Sequence, residues 1–215
     1  MRNVTKTWFP NGVGEIADSL ALAGLFKPMS EVLIEDHFLS DQECDWLVRY
    51  YEDNPGRHIQ DMGNGPNYMS FVMDLFPHTN QYEVKYLIAK LNRFCPIPES
   101  FIEYFQLVRR EAEFHQGTHV DFDDVVYSSI LYLNDDFEGG ETQVGETVIR
   151  PKKGTIIGFE GARVPHGVLP IVGSQRYTVP AWYKTAEWCA EKAAARIART
   201  PYASQLRSPM FGRKG

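Results

Sequence analysis

Cysteine is scarce in this chain: Cys44, Cys95 and Cys189 are all it holds. The number is odd and no CxxC pair occurs, which argues against a disulfide framework and a thiolate zinc site. Long hydrophobic runs are missing. None approaches the roughly 20 residues of a membrane-spanning helix, and the opening "MRNVTKTWFPNG" lacks the apolar stretch of a secretory signal. The expectation is a chain that meets no membrane and works in a reducing, cytoplasmic compartment. Basic charge is in deficit: 22 Lys and Arg stand against 28 Asp and Glu, a net charge of −6. Nucleic-acid binding wants a basic surface, so no nucleic-acid partner is expected. Repeats, low-complexity segments and any Ser/His/Asp or Cys/His constellation are absent too.

What is present fits one globular domain of 215 residues, 43% hydrophobic and 23% charged. Helical patterns occupy the first part, about 14–95. "GEIADSLALAGLF" (14–26) places Ile16, Leu20 and Leu25 near one side. Ser40 followed by Glu43 reads as a capping box, with Leu47, Tyr50 and Tyr51 recurring at helical spacing behind it. Asn80 is placed to cap a further helix whose stripe is Val84, Leu87, Ile88 and Leu91. Between these helices the Gly, Asn and Pro of 57–76 predict a mobile loop. From about 100 to 184 the pattern turns to short β-branched and aromatic runs, "FIEYFQLVRREAEF", "VVYSSILYLN", "ETVIRP", "GTIIGF" and "RYTVPAWY". Such runs, parted by Gly, Asp and Pro, predict a β barrel or sandwich. An Ala-rich helix over 186–198, capped by Thr185, and a basic, loose tail close the chain.

Two histidines and four acids crowd into "EFHQGTHVDFDD" (113–124). His115 and His119 have the spacing of an HExxH zinc protease, but Gln116 follows His115 and Gly117 interrupts a helix. His119 and Asp121 suit a strand better, where positions i and i+2 face one way. A third ligand has to come from elsewhere. Of the six histidines, His37, His58, His78, His115, His119 and His166, only His166 lies far downstream among the strands, in "VPHGVLP". Two histidines and one carboxylate leave coordination positions open, which is the facial triad of non-heme iron(II) oxygenases. A three-residue match is common by chance, and on these residues alone an accidental H-x-D stays open.

The wider run "HVD…YSSILYLNDDFEGGETQV…IRPKKGTIIGF…VPHGVLPIVGSQRYTVPAWY" resembles the prolyl 4-hydroxylase-like iron(II)/2-oxoglutarate-dependent dioxygenases. The likeness covers about Phe101–Tyr183 and extends weakly into "VLIEDHFLSDQECDWLV". It implies an α+β fold, a double-stranded β-helix (jelly roll) with the N-terminal helices packed on one sheet. It implies His119, Asp121 and His166 as metal ligands, and Arg176 as the grip on the distal carboxylate of 2-oxoglutarate. A guanidinium suits that task because it holds a carboxylate through two parallel hydrogen bonds. Tyr132, Ser128 and Thr178 are expected to help hold the keto acid. Thr178 and Trp182 share Arg176's face at period two. Tyr68 and Phe71 on the loop, Arg163, and Trp182 are expected at the substrate. The sequence departs from the family in carrying Arg109 and Arg110 ahead of the metal motif and Gln116 where an aromatic is usual. Pro180 predicts an edge or a bulge in its strand. The intact Asp121 speaks against the halogenases of the same superfamily.

The resemblance implies an enzyme that uses iron(II), 2-oxoglutarate and dioxygen, with ascorbate as reductant, to hydroxylate an unactivated C–H bond. Its substrate is expected to be a prolyl residue of a peptide or protein. Alternatives are a free amino acid or a biosynthetic small molecule, and desaturation or cyclisation in place of hydroxylation. From other classes come a jelly-roll module that binds metal without catalysis and a zinc hydrolase built on His115 and His119. The sequence is silent on oligomeric state.

Overall fold

Two antiparallel sheets, built mainly from the short β-branched and aromatic runs after residue 100, are seen in a computed structural model that describes residues 32–60 and 70–191. In chain order the strands open with β1 (Leu33–Glu35), β2 (Ile59–Gln60), β3 (Ser70–Asp74), β4 (Ser100–Arg110), β5 (Gln116–His119) and β6 (Tyr127–Tyr132). There follow β7 (Glu138–Gly139), β8 (Thr142–Val144), β9 (Thr147–Ile149), β10 (Ile156–Phe159), β11 (His166–Val168), β12 (Ile171–Val172) and β13 (Arg176–Thr185). The larger sheet has seven strands in the order β1-β10-β6-β13-β4-β3-β2, and the smaller has four, β5-β11-β8-β9. β12 and β7 pair separately. A buried cluster of Tyr132, Ile157 and Phe159 from the larger sheet with Val144 and Ile149 from the smaller joins the two. This is the double-stranded β-helix that the resemblance implies, and its two sheets together line one cavity.

Helices cover the larger sheet. In α1 (Asp41–Glu52) the capping box forms: Glu43's backbone N–H donates to the Ser40 hydroxyl, and Ser40's N–H donates to the Glu43 carboxylate. Cys44, Leu47 and Tyr51 form its buried face, and the Tyr51 ring meets Tyr177 of β13 edge-on at 5.9 Å. In α2 (Tyr82–Phe94) Val84, Leu87, Leu91 and Phe94 are buried. Burial of one such aliphatic side chain is worth about 1.5–3 kcal/mol. The Tyr183 hydroxyl ties β13 to this helix by donating to the Leu91 carbonyl at 3.1 Å. Gly158 of β10 makes room here, because a Cβ at that position would strike the Phe94 and Tyr127 rings.

Several expectations need correction. Gln81, not Asn80, occupies the N-cap of α2, and its side chain makes no cap hydrogen bond. The segment 57–76 is not wholly a loop: β2 and β3 form a hairpin on the larger sheet, and Phe71 lies on β3 with the Arg109 guanidinium 5.2 Å from its ring centre. Pro180 sits in the interior of the sheet, opposite Ile130 of β6, not at an edge. The register to β4 runs through Thr178↔Val108 and resumes at Ala181↔Phe105, which spares the proline its missing N–H. A bulge follows between Trp182 and Tyr183. The expected helix over 14–26, Tyr68, and the tail beyond 191 lie outside the described residues. Thr185 does cap the final helix, whose described part is 186–191: its hydroxyl accepts from the Trp188 N–H at 3.1 Å. Among the described residues, no helix is long and apolar enough to cross a membrane.

Candidate metal centre and its cavity

Strand pairing brings the distant histidine home. β5 and β11 run antiparallel with His119 directly opposite His166, and the two rings lie 4.4 Å apart, tilted by 53°. Asp121 lies two residues past His119, its backbone N–H held by the Gly161 carbonyl at 2.9 Å. One ligand atom from each of the three falls within 4.8 Å of the other two, and His166 Nε2 is 3.6 Å from Asp121 Oδ1.

Each side chain is also held from behind. His119 Nδ1 lies 3.0 Å from the Gly117 carbonyl and His166 Nδ1 lies 2.9 Å from the Val164 carbonyl. A carbonyl only accepts, so both rings carry hydrogen on Nδ1 and turn the Nε2 lone pair inward. Ser128 donates to Asp121 Oδ2 at 2.5 Å, leaving Oδ1 on the histidine side. Gly161 is required at this spot, since a Cβ there would collide with Asp121 Oδ2 and Ser128 Oγ. Burial holds the His119 imidazole below its ordinary range. Burial pushes the Asp121 carboxyl up, but contacts with His166 and Ser128 outweigh it and hold the group low. Neutral imidazoles and an ionised carboxylate are the forms that bind a divalent metal.

Among the described residues, Arg176 is the largest fully buried side chain. Its Nη2 donates to Thr142 Oγ at 3.0 Å, and that hydroxyl also accepts from Tyr132 at 2.7 Å. The guanidinium carbon lies 5.3 Å from the Tyr132 ring centre. Among the described residues, Nε and Nη1 have no hydrogen-bond partner. Burial pulls the group down to about 10, so it is still charged at neutral pH. A buried cation with donors to spare wants an anion. Two parallel N–H donors match the two oxygens of a carboxylate.

The cavity has a volume of about 1130 Å³ and is bordered by the three clustered residues, Thr142, Thr178 and Trp182. Trp182 stacks on Tyr104 at 4.3 Å and meets Phe122 edge-on at 5.6 Å, an aromatic wall that borders the same cavity as the clustered residues. Thr178 is buried beside it. Ser128, expected at the keto acid, instead holds Asp121. Arg163 pairs with Glu160 at 3.0 Å and is not part of the cavity wall. His115 borders the cavity without joining the cluster. Thr142, the shared anchor of Arg176 and Tyr132, was missed although it is the last residue of the quoted "GGET". Gln116 was read as a missing HExxH glutamate and a lost aromatic, yet its Nε2 lies 3.2 Å from His119 Nε2.

No protein-family model matches the chain. Prolyl 3-hydroxylase 2 of Rattus norvegicus is 46% identical over 65 residues, a stretch that covers 26% of this chain and 9% of that protein. The chain thus matches only a small part of that relative's length. Among solved structures, a viral collagen prolyl hydroxylase from Paramecium bursaria Chlorella virus-1, in its 2-oxoglutarate complex, superposes with a TM-score of 0.60 at 22% identity, covering 74% of this chain and 97% of that one. A prolyl hydroxylase of Trichoplax adhaerens, in complex with a hypoxia inducible factor peptide fragment, gives 0.62 at 17% identity, covering 83% and 91%. The chain carries the jelly-roll fold of the iron(II)/2-oxoglutarate dioxygenases and resembles their prolyl hydroxylase-like branch.

Proposed function

We propose that this chain is an iron(II)- and 2-oxoglutarate-dependent dioxygenase that hydroxylates a prolyl residue of a peptide or protein. One observation carries the reading: a two-histidine, one-carboxylate cluster shares its fold interior with a buried arginine whose spare donors meet no acceptor among the described residues. The donor set suits iron(II), with imidazole and carboxylate ligands on one side and open positions on the other. Bound there with 2-oxoglutarate and dioxygen, the metal supplies an oxidant for an unactivated C–H bond, and the co-products are succinate and carbon dioxide.

The chain's own residues do the rest. His119, Asp121 and His166 hold the metal, and Ser128 fixes which Asp121 oxygen faces it. Arg176, with Thr142 and Tyr132, receives the distal carboxylate of the keto acid. Trp182, Tyr104 and Phe122 offer a flat apolar wall suited to a pyrrolidine ring. The peptide seated on the Trichoplax neighbour supports a peptide substrate. Ascorbate is the reductant expected to restore the ferrous state. A reducing, cytoplasm-like compartment fits Cys44, Cys95 and Cys189, all free thiols.

The test supplies iron(II), 2-oxoglutarate and a panel of prolyl peptides and amino acids under air. The expected result is succinate formation stimulated by a peptide that gains one oxygen in mass. Loss of two hydrogens instead would move the reading to desaturation. His166→Ala should abolish both metal uptake and turnover, whereas a zinc hydrolase using His115 and His119 would retain its metal.

A further inference from the structure

We infer that Gln116 is a second handle on the keto acid: its side-chain amide donates to the carboxylate that 2-oxoglutarate presents at the metal, while Arg176 holds the other end. This rests on the dioxygenase reading and adds a further binding residue to it.

Two contacts fix the direction of the Gln116 amide. Arg110 Nη2 donates to its Oε1 at 3.2 Å. A guanidinium only donates, so the amide oxygen faces Arg110 and the amide nitrogen faces away from it. That nitrogen, Nε2, lies 3.2 Å from His119 Nε2. His119 gives its Nδ1 hydrogen to the Gly117 carbonyl, so its Nε2 accepts and the amide donates. The donor therefore points at the lone pair that a metal takes. Once a metal holds that lone pair, the amide loses its acceptor. Gln116 is half-buried and borders the cavity, where a donor left without an acceptor is costly. The acceptor within its reach is then an oxygen bound beside His119.

Position along the strands selects the keto acid over the prolyl substrate. Arg110 of β4 stands opposite Arg176 of β13, and Gln116 is held by Arg110. Tyr104 stands opposite Trp182 in the same pair of strands, six residues away on each (110 − 104 and 182 − 176). Six residues of strand span roughly 20 Å. Gln116 thus belongs to the Arg176 side of the cavity, and the aromatic wall belongs to the other. A five-carbon keto diacid gripped by Arg176 at its far carboxylate brings its near carboxylate to the metal along that first side. The exchange of the usual aromatic for Gln116 places an amide where the family carries a ring.

The experiment measures binding, without turnover, in wild type, Gln116→Leu and Gln116→Met, each loaded with iron(II) under argon. Calorimetry gives the Kd of 2-oxoglutarate, and the visible charge-transfer band of the iron(II)–keto acid chelate reports on the carboxylate at the metal. Both variants should raise that Kd about tenfold or more, the scale of one hydrogen bond to a charged group, and both should move the band. Iron(II) affinity without keto acid and the melting temperature should stay at their wild-type values. Arg176→Met provides the contrast: it raises the Kd and leaves the band in place, because it acts at the far carboxylate. An unchanged 2-oxoglutarate Kd in either Gln116 variant that keeps the wild-type melting temperature overturns the inference. So does a raised Kd with an unmoved band, which places the amide away from the metal end. Loss of iron(II) affinity overturns it as well, by assigning the amide to the support of His119 alone. A wild type that binds iron(II) but no 2-oxoglutarate sinks the dioxygenase reading and this inference with it. A wild type that binds the keto acid no more tightly than the variants sinks the inference alone.

Discussion

Arg176 carries two opposed demands at a single residue. Its charge is buried without an acidic partner among the described residues, an arrangement that costs folding stability until an anion arrives. Replacing it with a hydrocarbon of similar length therefore separates stability from function. Arg176→Met should melt no lower than wild type in the absence of ligand. It should bind 2-oxoglutarate about 10- to 150-fold more weakly, from the loss of charge-assisted bonds worth roughly 1.5–3 kcal/mol. Melting curves with and without the keto acid check both halves, and a large drop in the ligand-free melting temperature would refute the first. The clustering of His119, Asp121 and His166 was foreseeable from an H-x-D pair, a single far-downstream histidine and the family resemblance, and the resemblance alone singled out Arg176. The roles of Ser128 and Arg110 were not, because their partners are set by how the strands pack. Ser128 was expected at the keto acid, whereas the fold turns its hydroxyl onto Asp121.

Elements obeyed local signals where those signals involve neighbouring residues. The Ser40–Glu43 box is complete within four positions, and it formed as read. Ser40→Ala should cost about 1 kcal/mol, visible as a lower urea midpoint at unchanged slope. An unaltered midpoint would mean that tertiary contacts alone hold the start of α1. Signals failed where a sheet overrode them. Gly, Asn and Pro between 57 and 76 suggested a loop, but Ser70–Asp74 pairs along β4 and supplies Ser70 to the cavity. Pro180 suggested an edge or a bulge: β13 is not at an edge, and a bulge does follow, between Trp182 and Tyr183. Short strands such as β7, β8 and β12 have too few residues for a period to show.

Taken whole, the molecule places its ligands on separate strands. His119 ends β5, His166 opens β11, and Arg176 begins β13 of the other sheet. Metal and keto acid bound together would therefore cross-link the two sheets. At a hundredfold excess over Kd a single ligand adds about 2.7 kcal/mol, which in a chain of this size raises the melting temperature by roughly 5–10 °C. A ferrous salt with 2-oxoglutarate, scanned before and after a chelator, tests this; no shift would show that the sheets are joined by their own core alone. The histidines themselves are latched by the carbonyls of Gly117 and Val164, two residues upstream of each. Those latches belong to the chain and not to the ion. The rings are therefore turned inward before any ion arrives, so a metal stripped by a chelator should be replaced on adding a ferrous salt alone, with no refolding step.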